Sequence, residues 1–454
     1  PQWNDSQEIN LRRELQTLKN LTPNIARQKI IDLDRMHARR RELIWTELGD
    51  SPLVQALEHL NNLAQSTLHN LSAGSITDLV IGYHNFGWKA DSAVLEALKF
   101  PKSAEDIEAV IGAIRSVYTD WLDESARHLQ TVLHDQQYPG GTIMTLPTEA
   151  HHEGDCILFV DGLRFDLSKQ LASLVKANGL DVQEEIKWSA LPSVTATGKP
   201  AVTPVRNLIW GSDQNSDFEP AVVESNQSLR GGYQLDKLLR DSGWTLLEHS
   251  DNGNGQGYAW CEYGNIDHEG HERGWKLASQ VDTLIKEISE RVQALLSAGW
   301  RRVRIVTDHG WLLLPGELPK TELPSALTEN KWGRCASLKP GSSYHGHLFP
   351  WFWNPNQSFA FATGISCYKK GEEYAHGGVS LQECLLLNLT VKRSAQSQTA
   401  SAIEVTDVGW KGLRCTVGIL GYNSDLRLDL RLQAADSNSS VAVEVKPFKD
   451  SGVA

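Results

Sequence analysis

Two short, largely apolar runs that each end in aspartate limit what this chain can fold into. Residues 156–160 (CILFV) lead directly into Asp161, and residues 303–307 (VRIVT) lead into Asp308 and His309. Runs of this kind are typical of strands that are buried on both faces of a parallel sheet. Amphipathic helices are predicted after the first run and before the second, which is the alternation of an open α/β sheet. Ligands of such sheets bind beyond the carboxyl ends of the strands, so we expect a site at the two aspartates.

The rest of the sequence predicts a helical region before this sheet and a β-rich segment after it. In the first part of the chain, apolar residues recur every three or four positions, and Thr22-Pro23 and Ser103 stand where helices should begin. The basic run Arg39–Arg41 is predicted to lie on a solvated helix face. The last part of the chain has short alternating strands, typical of half a small β-sandwich, and we expect a larger domain to be cut short there. The predicted domains are a helical region at 1–150, an α/β domain at 151–395 and a β-rich segment at 400–454.

Composition excludes several classes of protein. The 454 residues include 44 Lys and Arg against 56 Asp and Glu, a formal net charge of −12, which disfavours a protein that coats nucleic acid by bulk electrostatics. The six cysteines form no C-x-x-C pair, which predicts reduced, buried thiols rather than a disulfide framework. No apolar run approaches the roughly 18–20 residues of a membrane helix. We therefore expect a cytoplasmic protein that has no membrane partner.

Six residues between positions 161 and 376 have side chains suited to binding a metal ion. They are Asp161, Asp267, His271, Asp308, His309 and His376. Taken singly they have simpler explanations, because Asp161 is equally well a helix cap, and Asp267 and His271 are well explained as surface residues. Taken in order, they favour a metal site. Three carboxylates and three imidazoles suit a borderline divalent ion, zinc first and manganese second.

A hydroxyl-rich loop, residues 191–199 (LPSVTATGK), follows the first strand and helix. A threonine hydroxyl is a weak nucleophile, but coordination to a metal ion activates it, and Ser193, Thr195 and Thr197 are all candidates at this point. Arg164 and Lys199 are candidates for neutralising phosphate oxygens.

The order of these motifs resembles the alkaline phosphatase superfamily of metallo-phosphoesterases and phosphomutases. The motifs are VDG at 160–162, PSVT at 192–195, D-x-x-x-H at 267–271, TDHG at 307–310 and HGG at 376–378. Within that superfamily, VDGLRFD at 160–166 and TDHGWLL at 307–313 look most like the PglZ family of BREX phage-defence systems. The resemblance covers residues 155–390.

The resemblance implies an alkaline-phosphatase-like fold, with helices around a mostly parallel sheet, and a site with two divalent metal ions. Asp267, His271 and His376 would hold one ion. Asp161, Asp308 and His309 would hold the other, with Thr195 between the ions as the covalent nucleophile. His345 and His347 are then not needed as ligands and are predicted to be loop residues.

The resemblance also implies a function. It predicts a phosphodiesterase of the nuclease type, with nucleic acid as the candidate substrate and other BREX proteins as partners. Two alternatives stay open: a phosphomonoesterase or phosphomutase that uses the same ions, and a non-catalytic scaffold of the defence complex. The long segment between Trp311 and Tyr374 is a candidate substrate-facing cap that includes Lys331–Arg334.

Overall fold

The chain forms two compact units, which are Pro1–Asn178 with Val182–Lys392, and Gly179–Asp181 with Arg393–Ala454. The computed structural model describes residues 2–147, 149–213, 215, 217–339, 341–342, 344, 346, 348–394, 404–412, 414–420, 427–433, 439–441 and 446–447. His345 and His347 lie outside the described residues. The division into three domains stays a prediction.

The N-terminal region is helical, as predicted. Its α-helices are α1 Gln2–Thr17, α2 Pro23–His37, α3 Ile44–Glu47, α4 Pro52–Ser66, α5 Ile76–Gly82, α6 Trp88–Leu98 and α7 Ala104–Asp135, with 3₁₀ turns at Leu18–Asn20 and Ala38–Glu42 and a π-helical turn at Tyr83–Gly87. Pro23 occupies the first turn of α2, and the Ser103 hydroxyl accepts a hydrogen bond from the Asp106 backbone N–H at the start of α7. Apolar side chains three and four residues apart are buried along α4 and α7.

One basic residue of this region departs from the prediction. Arg40 is not solvated: it is buried in the Ala38–Glu42 turn and pairs with Glu8 at 2.6 Å. The expectation of a solvated run is therefore wrong for Arg40, because a buried carboxylate from α1 supplies the countercharge that burial of a guanidinium requires.

The second part of the same unit contains the other helices and most of the strands. The helices are α8 Phe165–Ala177, α9 Thr195–Ala201, α10 Tyr233–Asp241, α11 Ile266–Arg273, α12 Val281–Ser297 and α13 Leu381–Cys384, with 3₁₀ turns at Arg206–Leu208 and Gly274–Ser279. The strands are β1 Asp155–Phe159, β2 Leu180–Trp188, β3 Ile209–Trp210, β4 Ala221–Val222, β5 Trp244–Leu247, β6 Tyr258–Glu262, β7 Arg302–Val306, β8 Leu312–Leu313, β9 Thr328–Lys331, β10 Cys335–Leu338, β11 Leu348–Trp351, β12 Asn354–Phe361, β13 Tyr374–Ala375 and β14 Leu385–Arg393.

The largest sheet of the described residues has six strands in the order β2-β14-β7-β1-β6-β5. Strand β1 pairs in parallel with β6 and β7, and β5 pairs in parallel with β6, whereas β14 runs antiparallel to β7. All five residues of β1 are buried, because the strand has a neighbour on each side and helices pack over the sheet. The predicted mixed α/β fold with a mostly parallel central sheet is confirmed.

The segment between Trp311 and Tyr374 forms a smaller antiparallel sheet in the order β11-β12-β10-β9. Arg334, in the turn between β9 and β10, is buried and forms an ion pair with the buried Glu383. Its guanidinium is thus buried and paired inside the protein and is not part of a substrate-facing surface.

The C-terminal unit is β-rich, as predicted. Strands β15 (Glu404–Lys411) and β16 (Arg414–Leu420) form one antiparallel pair, and β17 (Arg427–Leu428) and β18 (Lys446–Pro447) form another. All six cysteines of the chain lie in the described part and are free, and five of them are buried. A search of the described residues finds no helix with the length and apolar character needed to cross a membrane.

Candidate active site

The register of β1 and β7 places the two predicted aspartates side by side. Phe159 and Val306 are direct partners in the parallel pair, and each chain continues by two residues to its aspartate. Asp161 and Asp308 therefore leave the sheet at the same edge. Gly162 follows with a φ of +66°, and a Cβ atom there would lie 3.0 Å from the Cβ of Asp267. Glycine thus lets α11 approach the strand ends closely.

Helix α11 and the segment after β13 bring the remaining predicted ligands to these strand ends. Ligand atoms of Asp267, His271 and His376 lie within 4.8 Å of one another, and so do those of Asp161, Asp267 and His309. The Nε2 atoms of His271 and His376 are 3.5 and 3.4 Å from the carboxylate oxygens of Asp267. The His309 Nε2 is 3.6 Å from the Asp161 Oδ1. Asp267 belongs to both groups, so two candidate metal sites adjoin each other.

Asp308 is not a member of either group, but it lies beside the second one and contacts His309. Its Oδ2 lies 3.6 Å from the His309 Nε2, and its Oδ1 accepts hydrogen bonds from the backbone N–H groups of Gly162 and His309. The Oδ2 is buried and has no hydrogen-bond partner among the described residues. A buried carboxylate oxygen without a partner is costly, and a cation would offset that cost. The residues present therefore fit a divalent metal ion, and all six predicted ligands converge.

Backbone carbonyl groups orient two of the histidines. The Nδ1 of His309 lies 3.0 Å from the carbonyl oxygen of Gly310, and the Nδ1 of His376 lies 3.0 Å from that of Ser193. A carbonyl oxygen only accepts, so each Nδ1 carries the hydrogen, and in the neutral ring the Nε2 keeps its lone pair for the site. This second layer of contacts is typical of metal-binding histidines.

Tyr374 also supports the site, although it is not among the residues predicted from the sequence. Its hydroxyl donates a 2.8 Å hydrogen bond to the Asp267 Oδ1. Tyr374 stands two residues before His376, at the start of β13, so the alternation of side chains along an extended segment was the available signal.

The charges of the site are strongly coupled. Burial raises the pKa of Asp161 well above its usual range, and the charge of Asp308 adds to that shift. Burial alone would lower the pKa of His309, but Asp308, Asp267 and Asp161 outweigh it and raise the pKa to about 9. Burial and the charge of His309 lower the pKa of His376 to about 3, which leaves that ring neutral.

The loop before α9 and the first turn of α9 carry three hydroxyl groups, and the structure places them differently. Thr195, the first residue of α9, has its Oγ1 3.1 Å from the His309 Nε2 and 3.4 Å from the Asp161 Oδ1. The buried Ser193 hydroxyl donates to the carbonyl oxygen of Gly378. The buried Thr197 hydroxyl donates to the carbonyl oxygen of Phe218 and accepts from the Trp351 indole. Of these three hydroxyls, that of Thr195 lies against the candidate ligands.

The structure treats the two predicted phosphate-binding cations differently. The Lys199 Nζ pairs with the Glu262 Oε2 at 2.6 Å and stays partly exposed beside the site. The Arg164 guanidinium is 1% exposed, forms a double hydrogen bond with Asp166 and stacks on the Trp311 ring at 3.7 Å. The structure does not bring Arg164 into the site, because its guanidinium is buried and the N–H donors that would bind phosphate are paired with Asp166.

Two cavities flank the Thr195–Asp161 contact. One, of about 480 Å³, is lined by Asp161, Lys199, Glu262 and the stacked rings of His249 and Tyr263. The other, of about 130 Å³, is lined by Thr195, Lys199 and the segment from Leu229 to Gly232. Lys199 lines both cavities.

Comparison with known proteins gives little beyond this geometry. No family model matches the sequence, and no curated protein matches it. Among solved structures, the chain is similar to murine ectonucleotide pyrophosphatase/phosphodiesterase 5, with a TM-score of 0.35 and 10% sequence identity. The match covers 52% of this chain and 87% of that chain. A similarity this low is not evidence for the fold or the chemistry of this protein.

Proposed function

We propose that this protein is a metal-dependent phosphoester hydrolase of the alkaline phosphatase superfamily, with Thr195 as its nucleophile. One observation supports the proposal most directly: the Thr195 Oγ1 lies 3.1 and 3.4 Å from two members of a carboxylate and histidine group. That group shares Asp267 with a second group. A hydroxyl beside two adjoining candidate metal sites suits an in-line displacement at phosphorus.

The two ions would be held as the motif order implies. Asp267, His271 and His376 would bind one, and Asp161, Asp308 and His309 the other; zinc suits this donor set best and manganese second. When bound, the ions supply positive charge that lowers the pKa of the threonine hydroxyl and neutralises phosphate oxygens.

The chain's own residues carry the reaction. The Thr195 Oγ1 attacks phosphorus, the bond from phosphorus to the alcohol oxygen breaks, and the departing alcohol takes the hydroxyl proton. Water then cleaves the ester between Thr195 and phosphate and regenerates the hydroxyl. Lys199 orients the ester from the side, exchanging its pairing with Glu262 for a phosphate oxygen.

The finer assignment rests on the resemblance of VDGLRFD at 160–166 and TDHGWLL at 307–313 to the PglZ family. On that basis the substrate is a phosphodiester, with nucleic acid as the first candidate. The protein acts in the cytoplasm with other proteins of a BREX phage-defence system.

Hydrolysis of bis(p-nitrophenyl) phosphate and p-nitrophenyl phosphate tests this proposal, using protein loaded with zinc or manganese. We expect turnover of the diester, and we expect Thr195→Ala to abolish it while leaving the bound metal in place. Thr131→Ala is the matched control, because Thr131 is exposed on α7 and its hydroxyl contacts only its own helix. Preference for the monoester would favour the phosphomonoesterase alternative. Turnover by Thr195→Ala would refute the assignment of the nucleophile, and a wild type without metal or turnover would favour the scaffold.

A further inference from the structure

Ser193 has three contacts with the segment that carries His376. Its backbone oxygen accepts a hydrogen bond from the His376 Nδ1 at 3.0 Å. Its hydroxyl donates to the Gly378 carbonyl oxygen at 2.8 Å and accepts from the Gly377 N–H at 3.2 Å. The side chain is fully buried, so water does not compete for these bonds. Ser193 thus binds both the imidazole and the backbone that follows it.

The same residue lies two positions before Thr195. The turn between them is tight, because the Val194 N–H bonds back to Pro192 and the Gly198 N–H bonds to the Val194 carbonyl. Gly377 packs directly on this turn with a φ of +105°, and a Cβ atom there would lie 3.1 Å from the Val194 Cγ1. Little space separates Gly377 from Val194, so we expect a shift of the Gly377 backbone to reach the residue adjoining Thr195.

A second, independent anchor holds the far side of the His376 segment. The Gly378 N–H donates to the Glu383 Oε1 at 2.8 Å, and Glu383 pairs with the buried Arg334. Gly378 is consequently held at its N–H by Glu383 and at its carbonyl by Ser193. Loss of the Ser193 hydroxyl would leave the Glu383 anchor and the 3.6 Å contact of the Cys384 Sγ with the Gly378 carbonyl oxygen, and would remove the two hydroxyl bonds on the side that faces Thr195.

We propose that Ser193 is a positioning residue that couples the candidate ligand His376 to the candidate nucleophile Thr195. Its hydroxyl fixes the Gly377–Gly378 backbone, so that the His376 Nε2 stays 3.4 Å from Asp267 while the turn leading to Thr195 keeps its place. This inference rests on the proposed function, because it gives Ser193 a role only if His376 binds an ion and Thr195 reacts.

The test compares wild type with Ser193→Ala and Ser193→Cys. The cysteine variant fills the space of the serine side chain with a somewhat larger group that is only a weak hydrogen-bond donor, so it weakens the bonds without leaving a cavity. Ser173→Ala is the matched control, since Ser173 is exposed on α8 and its hydroxyl bonds within its own helix. Zinc affinity is measured by competition with a chelating dye, and the coordination sphere by the visible spectrum of the cobalt(II)-loaded protein.

We expect both Ser193 variants to bind zinc about 10- to 100-fold more weakly and to show an altered cobalt spectrum, as for losses of other contacts to metal ligands. At saturating zinc, kcat for the diester should fall about 10-fold or more while KM changes less than about twofold, because Thr195 is misplaced and substrate contacts remain. If Ser193→Ala does not fold, the cysteine variant alone decides.

The two possible failures are distinguishable. If wild type binds zinc and turns over but the Ser193 variants match it in affinity, spectrum and kcat, the coupling is refuted and the proposed function stands. A lowered melting temperature with those three properties unchanged also refutes it, because Ser193 would then serve packing alone. If wild type itself binds no metal and hydrolyses neither ester, the proposed function fails and takes this inference with it.

Discussion

Replacing Gly198 with alanine should displace the candidate nucleophile Thr195 without replacing any residue of the candidate site. Gly198 lies in α9, one helical turn after Thr195, and faces the end of β7. A Cβ atom at this position would lie 2.8 Å from the Asp308 Cβ and 3.0 Å from the Asp308 carbonyl oxygen. Carbon atoms in contact prefer about 3.5–4.0 Å, so α9 would have to move by about 1 Å.

That displacement sets the expected magnitudes. Overpacking of this kind costs about 1–3 kcal/mol of unfolding free energy. A shift of about 1 Å in a reacting group costs about 100-fold in rate, so kcat for bis(p-nitrophenyl) phosphate should fall by about that factor. Metal content at saturating zinc should stay close to that of wild type, because all six candidate ligands are retained.

The measurements are kcat, metal content and urea unfolding, with Gly112→Ala as the control. Gly112 lies in α7 with no atom within 4 Å of the added methyl group, so alanine there should preserve activity and slightly stabilise the helix. Near-normal kcat in Gly198→Ala would refute the idea that close packing of α9 on Asp308 positions Thr195.

Three further predictions concern charge. Because the pKa of His309 is raised to about 9, a proton must leave before its Nε2 binds an ion. The zinc affinity of the metal-free protein should therefore rise about tenfold per pH unit from pH 7 to 9. Zinc titrations that give the same affinity at each pH would contradict this. Burial raises the pKa of Asp91 from 3.8 to about 6, so its contribution to stability is complete below about pH 4 and is lost as the pH rises through 6. In Asp91→Asn, the free energy of unfolding should therefore fall by up to about 3 kcal/mol less over this pH range. Urea unfolding in which the variant keeps the full pH dependence of wild type would disprove the assignment. Glu383→Gln leaves the buried Arg334 without its countercharge and should lower the free energy of unfolding by about 3–5 kcal/mol. Glu290→Gln, in an exposed pair with Lys286, should lower it by less than about 1 kcal/mol. Equal losses in urea unfolding would argue against a buried ion pair.

The sequence was sufficient for the features that depend on topology. Adjacent parallel strands end at the same edge of a sheet, so the aspartates after β1 and β7 lie close together whatever the structure of the loops. The spacing of Asp267 and His271 placed both side chains on one face of α11. The two apolar runs at 156–160 and 303–307 form strands whose bounds are each one residue earlier, at Asp155–Phe159 and Arg302–Val306.

The sequence was not sufficient for the partners of individual charges. Arg164 was a candidate phosphate ligand because it follows Asp161, but its partner Asp166 and the Trp311 ring enclose it. Arg40 similarly pairs with Glu8, 32 residues away in the chain. Whether a guanidinium is buried depends on packing between distant segments, which a local pattern does not encode. The role of Gly198 could not be predicted for the same reason, since it acts through a contact with a distant residue.

Asp267 is the residue on which a site for two ions depends most, because it belongs to both candidate metal groups. Metal content per chain, determined by mass spectrometry on protein loaded with zinc and then desalted, tests that dependence directly. We predict two ions in wild type and in the exposed-surface control Asp241→Asn, and loss of the ion bound by Asp267, His271 and His376 in a folded Asp267→Asn variant. Wild type without bound zinc, or Asp267→Asn that retains both ions, would contradict a shared two-metal site.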